Sequence, residues 1–180
     1  MEIERKFLAD PASLQLDTYP RKEMSQGYIS TDPVIRIRRS NDNYILTVKS
    51  GGLLEREEFE TALTSEQYDR LSAKVEGTFL TKTRYLIPYH PIREINGTDP
   101  ETATDPAPRE LTIELDVFHG SLSGLVYAEV EFTSVEEAKA FIPPKWFLRE
   151  VTEDGSYTNA ALSRLTADEI PGFLKKAALI

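Results

Sequence analysis

The chain contains no cysteine. Disulfides, thiolate metal sites and cysteine nucleophiles are therefore excluded. No apolar run approaches the length of a membrane span, and the opening residues MEIERKFL are charged, unlike a signal peptide or a transit sequence. These absences point to a cytoplasmic protein without a membrane partner. There is no internal repeat and no low-complexity stretch. Histidine is scarce as well, and the only two, His90 and His119, fall beside loops or strand ends, where they are expected to be incidental. Trp146, just after Pro143-Pro144, reads as a core or lid aromatic.

What is present fits one domain spanning residues 1–180, because 180 residues can build one sizeable core but would cramp two. Lys and Arg number 21 against 30 Asp and Glu, giving a formal net charge of −9. An acidic surface repels nucleic acid and anionic membrane, so neither is expected as a partner. An anionic small molecule is not excluded, since a local cluster of bases can outweigh the global sign.

Period-2 alternation marks the strands. It runs through Glu2 to Phe7, Val34 to Arg38, Tyr44 to Lys49, Arg56 to Thr61, Leu80 to Ile87, Leu111 to Phe118 and Leu125 to Phe132, with a weaker stretch from Gln26 to Ser30. Helical patterns occupy Ser65 to Val75, Ser134 to Phe141 and Thr158 to Leu165. A last one covers Thr166 to Ala178, with Thr166 as its cap, Glu169 three residues on and Pro171 threatening to split it. The segment Pro88 to Arg109 carries five prolines and Asn96-Gly97, which reads as a long loop or hairpin excursion. Strands dominate. The fold class is α+β, built on a closed or nearly closed antiparallel sheet.

Residues two apart on a strand share a face. Glu2, Glu4 and Lys6 thus share one, as do Arg36 with Arg38, Lys82 with Arg84, Glu114 with Asp116, and Glu129 with Glu131. Lys49 shares a face with Thr47. An ordinary half-buried sheet would turn such charges outward to water. Here, however, the charges segregate by strand, with acids on three strands and bases on at least three others. Clustered carboxylates are hard oxygen ligands suited to Mg²⁺ or Mn²⁺. Lys and Arg on a facing wall suit phosphate oxygens. Together the two walls describe a metal–polyphosphate site.

These residues resemble a known pattern. Glu2-Ile3-Glu4-Arg5-Lys6 has the Glu-x-Glu-x-Lys form of the CYTH superfamily, the triphosphate tunnel metalloenzymes. Further matches follow in order: QGY at 26–28, IRIR at 35–38, TVKSGG at 47–52, TKTRY at 81–85, ELDVF at 114–118, AEVEF at 128–132 and EVTEDGSYTNAAL at 150–162. The resemblance covers nearly the whole chain and is nearest to small bacterial single-domain members.

It implies an eight-stranded antiparallel β-barrel with flanking helices and a charged tunnel open at both ends. It implies hydrolysis of a small-molecule triphosphate, inorganic tripolyphosphate first among them, with Mg²⁺ or Mn²⁺. Carried over by position, Glu2, Glu4, Glu114, Asp116, Glu129 and Glu131 are the metal-ligand candidates. Lys6, Arg36, Arg38, Lys49, Arg56, Lys82 and Arg84 are the phosphate-binding candidates, and Tyr28, Lys49 and Lys82 the catalytic ones. The last helix is a candidate plug for one tunnel end. An adenylyl cyclase, a thiamine or nucleoside triphosphatase, a non-catalytic polyphosphate-binding module and an inert salt-bridged barrel stay open as alternatives, as does a homodimer.

Overall fold

The computed structural model describes residues 3–49, 58–90 and 110–178. Glu2, Arg56 and most of the proline-rich 88–109 stretch, all singled out above, lie outside the described residues.

Nine strands form one antiparallel sheet: β1 (Ile3–Ala9), β2 (Arg21–Thr31), β3 (Val34–Ser40), β4 (Asn43–Lys49), β5 (Glu58–Leu63), β6 (Glu76–Tyr89), β7 (Leu111–Phe118), β8 (Val126–Phe132) and β9 (Phe147–Glu150). Their order is β5-β4-β3-β2-β6-β7-β8-β1-β9. The eight-strand expectation is thus corrected to nine, and among the described residues the edge strands β5 and β9 do not pair, so hydrogen bonds do not close the sheet. The sheet is nonetheless strongly curled, because eight of its strands send side chains into one cavity. The added strand, β9, pairs with the outer edge of β1. The weak Gln26 to Ser30 signal belongs to an 11-residue strand whose start, Arg21-Lys22-Glu23, lacks an apolar alternation.

Helices cap where the sequence indicates. In α1 (Ser65–Ser72), Thr64 accepts from the Gln67 amide while the Gln67 side chain accepts from the Thr64 amide, a reciprocal capping box. Ser134 caps α2 (Val135–Ala140) and Thr158 caps α3 (Asn159–Ser163). Glu169 accepts from both the amide and the hydroxyl of Thr166 just before α4 (Ile170–Ala178). Pro171 does not split that helix, because it sits in the first turn, where no intrahelical partner is needed for its nitrogen. Among the described residues no helix is long and apolar enough to cross a membrane.

Two apolar clusters use opposite faces of the sheet. The outer one packs Phe7, Ile113, Leu115, Val130 and Phe132 under Phe141 and Phe147. Trp146 stands edge-on to Phe147 at 4.6 Å within this outer layer, away from the cavity. The inner one joins Leu8, Leu80, Phe118 and Tyr127 to Tyr157, Leu162 and Ile170 of the C-terminal segment. The inner residues share strand parity with Lys6, Lys82, Asp116 and Glu129. The concave face is therefore charged along one stretch and apolar along the next, and the C-terminal segment packs on the apolar stretch. Gly77 makes that packing close: its φ is +73°, and a Cβ there would meet the Ser163 carbonyl oxygen at 2.3 Å.

Candidate active site

The charged stretch of the concave face surrounds a cavity of about 700 Å³. It is lined by the bases Lys6, Arg36, Arg38, Lys49, Lys82 and Arg84 and by the acids Glu4, Glu58, Glu60, Glu114, Glu129 and Glu131, with Gln26 and Tyr28 between. The alternation on each strand turns these groups inward together, which is why single-strand parity suffices to place them.

Strand register assembles the acidic wall. Glu4 on β1 faces Glu131 on β8, Lys6 faces Glu129, and Glu129 in turn faces Glu114 on β7. The Lys6 ammonium lies 2.9 Å from Glu129. Arg84 donates from Nη2 to Glu129 at 2.7 Å and to Asp116 at 2.7 Å, and from Nη1 to Glu114. Asp116 is fully buried; it accepts from Arg84 Nε as well and from the Lys82 ammonium. Its carboxylate thus faces these two cations beneath the wall, and it is absent from the cavity lining, unlike the other candidate ligands among the described residues.

The basic wall is built by β3 and β4. Arg36 and Arg38 approach Glu60 at 3.7 and 3.8 Å, and Lys49 approaches Glu58 at 3.0 Å. Arg36 also donates to Thr47 Oγ1, whose hydroxyl donates to Glu60 at 2.7 Å. Tyr28 and Lys49 both line the cavity, on β2 and β4, with β3 between them.

Sequence reading missed Glu58, Glu60 and Gln26. Glu58 and Glu60 share Arg56's parity, so the alternation that singled out Arg56 carried them too. Gln26 is uncharged, so charge alternation passes it over, and only the QGY match at 26–28 touches it. Asn159 joins the lining at the start of α3, where its Oδ1 accepts from the buried Tyr127 hydroxyl at 2.9 Å.

Charge compensation sets the protonation states. Burial works to raise the Glu129 carboxyl, but Lys6, Lys82 and Arg84 outweigh it and hold the pKa at about 2. Burial wins at Glu114, which is raised despite Arg84. Burial also lowers Lys82, with Asp116 opposing it. At Arg84 burial opposes the charge, yet Asp116, Glu129 and Glu114 overcome it and the guanidinium stays charged. Burial raises the Tyr28 phenol against the pull of Arg36 and Arg38, so it keeps its proton at neutral pH.

The donor set fits a hard divalent cation: only carboxylate oxygens, on adjacent strands, with two acids facing each other at Glu4 and Glu131. Several of these acids are turned onto bases, and among the described residues no three acidic or imidazole groups already form a cage. A cation would therefore compete with Lys6 and Arg84 for Glu129 and Glu114.

Comparison with known proteins agrees with this architecture. The CYTH domain model matches residues 1–140. An inorganic triphosphatase of Nitrosomonas europaea is 39% identical, covering 90% of this chain and 96% of that protein. One of Acetivibrio thermocellus is 31% identical, covering 89% and 92%. The crystal structure of an inorganic triphosphatase superposes with a TM-score of 0.66 at 37% identity, over 92% of this chain and 96% of that one. With its family model matched over most of its length and its charged concave sheet in place, the chain belongs to the CYTH domain family.

Proposed function

We propose that this protein is a divalent-metal-dependent triphosphatase that hydrolyses inorganic tripolyphosphate, with the curled sheet serving as its barrel. The observation that carries the reading is one cavity lined, among the described residues, by six bases and six acids. The names of the relatives at 39% and 31% identity point the same way.

The charge balance explains why substrate and metal would enter together. Among the described residues, lining acids and bases are equal in number, whereas tripolyphosphate brings about four negative charges near neutral pH. One or two divalent cations offset that addition. Mg²⁺ or Mn²⁺ would be held by Glu4, Glu131, Glu129 and Glu114; Glu2, outside the described residues, joins them only by the family resemblance. When bound, the ion supplies Lewis-acid polarisation of phosphoryl oxygens and a more acidic water.

The chain's own residues do the rest. Arg36, Arg38 and Lys49 bind the phosphate chain from the basic wall and stabilise charge that develops on the leaving pyrophosphate, and Arg56, outside the described residues, is assigned to phosphate by the family resemblance alone. Lys6, Lys82 and Arg84 do the same from the seam between the walls. Asp116 orients Lys82 and Arg84 rather than ligating metal. Tyr28 donates its proton in a hydrogen bond, and Lys49 beyond β3 completes the catalytic set. The apolar stretch around Leu8, Leu80 and Tyr127 excludes bulk water from the inner end.

The test is a substrate panel of tripolyphosphate, thiamine triphosphate and ATP, each with Mg²⁺, Mn²⁺ or chelator. Tripolyphosphate should give the highest kcat/KM, with phosphate as product and no turnover in chelator. Cyclic AMP from ATP, or phosphate release indifferent to chelator, would overturn the reading.

A further inference from the structure

Three buried donors in the cavity have no hydrogen-bond partner among the described residues: Gln26 Nε2, Arg36 Nε and Arg38 Nε. They are neighbours. Gln26 faces Arg38 across the β2–β3 ladder, and Tyr28, two residues on from Gln26, faces Arg36. A buried donor without a partner costs on the order of 1–3 kcal/mol. Three together on one patch of wall suit a ligand group that only accepts. An ionised phosphoryl oxygen is such a group, while a cation or an apolar moiety is not.

The two arginines belong to the basic wall already assigned to phosphate. Gln26 does not. It is 3% exposed, lines the cavity, and sits where the charged stretch meets the apolar one, with Leu80 as its partner on β6. Gly27 fixes its position, because a Cβ there would come within 2.7–2.8 Å of Val75, so β2 lies tight against the turn between α1 and β6. From these observations we infer that Gln26 is a substrate-contacting residue, donating from its amide to a phosphoryl oxygen seated beside Arg36 and Arg38. Being neutral, the amide orients that oxygen without disturbing the even balance of lining charges. The inference rests on the triphosphatase reading.

The test compares wild type with Gln26→Met, of similar length but no donor, and Gln26→Glu, which presents oxygen and negative charge. Tripolyphosphate binding is measured calorimetrically in chelator and as KM with Mg²⁺, and thermal melts are recorded with and without tripolyphosphate. Gln26→Met should bind about tenfold more weakly or worse. It should melt no lower than wild type without ligand, since it removes an unsatisfied buried amide. Gln26→Glu should bind more weakly still. If Gln26→Met binds as tightly as wild type, or melts lower when ligand-free with unchanged affinity, Gln26 is structural and the inference fails alone. If wild type neither binds tripolyphosphate in chelator nor turns it over with Mg²⁺ or Mn²⁺, the triphosphatase reading falls and takes the inference with it.

Discussion

Glu4 and Glu131 stand directly opposite each other on β1 and β8, one residue pair along from Arg5 and Val130 and two from the Lys6–Glu129 ion pair. Cβ atoms so placed are about 4.5–5.5 Å apart, and like charges there destabilise a sheet. The pairing makes sense if a cation sits between the carboxylates. Both side chains are exposed, whereas Lys6 and Glu129 are buried, so the acid–acid step marks the more open end of the cavity.

Glu4→Gln and Glu131→Gln should each lower metal-dependent phosphate release by about 10–100-fold or more, the loss seen even for partners of ligands. Glu131→Gln should also leave the metal-free protein slightly more stable, by a few tenths of a kcal/mol. Rates titrated against Mg²⁺ and Mn²⁺, with parallel thermal melts, check both. An unchanged metal dependence in the two variants would remove these residues from the ligand set.

Asp116→Asn separates a structural acid from a ligating one. The substitution keeps the shape but leaves the Lys82 ammonium and the Arg84 guanidinium buried with less compensation, and its new amide protons point at other donors. A loss of about 3–5 kcal/mol in urea unfolding is expected. Full stability combined with weakened metal dependence would make Asp116 a cation ligand instead.

Glu129 predicts the acid side of the stability profile. Its pKa of about 2 lies below the ordinary 4.5, because Lys6, Lys82 and Arg84 overcome the effect of burial. The unfolded chain therefore takes up this proton before the folded one does. The stabilisation is complete above the ordinary carboxylate pKa and disappears as the pH falls toward about 2. Glu129→Gln should be less stable at neutral pH and show a shallower decline below pH ~4.5. Unfolding free energies at several acidic pH values test this, and parallel declines in the two proteins would refute it.

Much of this wall was legible in the sequence because strand side chains have a period of two. Parity alone put Glu4 with Lys6, Arg36 with Arg38 and Glu129 with Glu131. Depth is what parity does not encode. Glu114 and Asp116 alternate identically, yet one lines the cavity and the other lies fully buried under Arg84 and Lys82. Leu8, Leu80 and Tyr127 share the inward parity of the charges but fill the apolar stretch, so both faces of those strands are apolar there and the pattern does not show which way each apolar residue points. Four residues, Phe147–Glu150, are too short for β9 to show a period, and its pairing partner lies about 140 residues away.

Gly77 ties this packing to the cavity. Its φ of +73° is the left-handed region, and an added Cβ would stand 2.3 Å from the Ser163 carbonyl oxygen, a backbone atom at the end of α3 that cannot swing aside. Gly77→Ala thus carries about 1–2 kcal/mol of backbone strain and forces α3 away from β6. The displacement reaches Thr158, Asn159 and Ala160, which line the cavity, and the Tyr127–Asn159 hydrogen bond. Gly155→Ala is the control, since a Cβ there meets nothing within 4 Å. Gly77→Ala should lower stability by at least about 2 kcal/mol and raise KM for tripolyphosphate without altering which metal supports turnover. Gly155→Ala should stay within about 0.5 kcal/mol of wild type. Thermal melts and steady-state kinetics on the pair decide it: if Gly77→Ala is as silent as the control, close seating of α3 on β6 is not what shapes the inner end of the cavity.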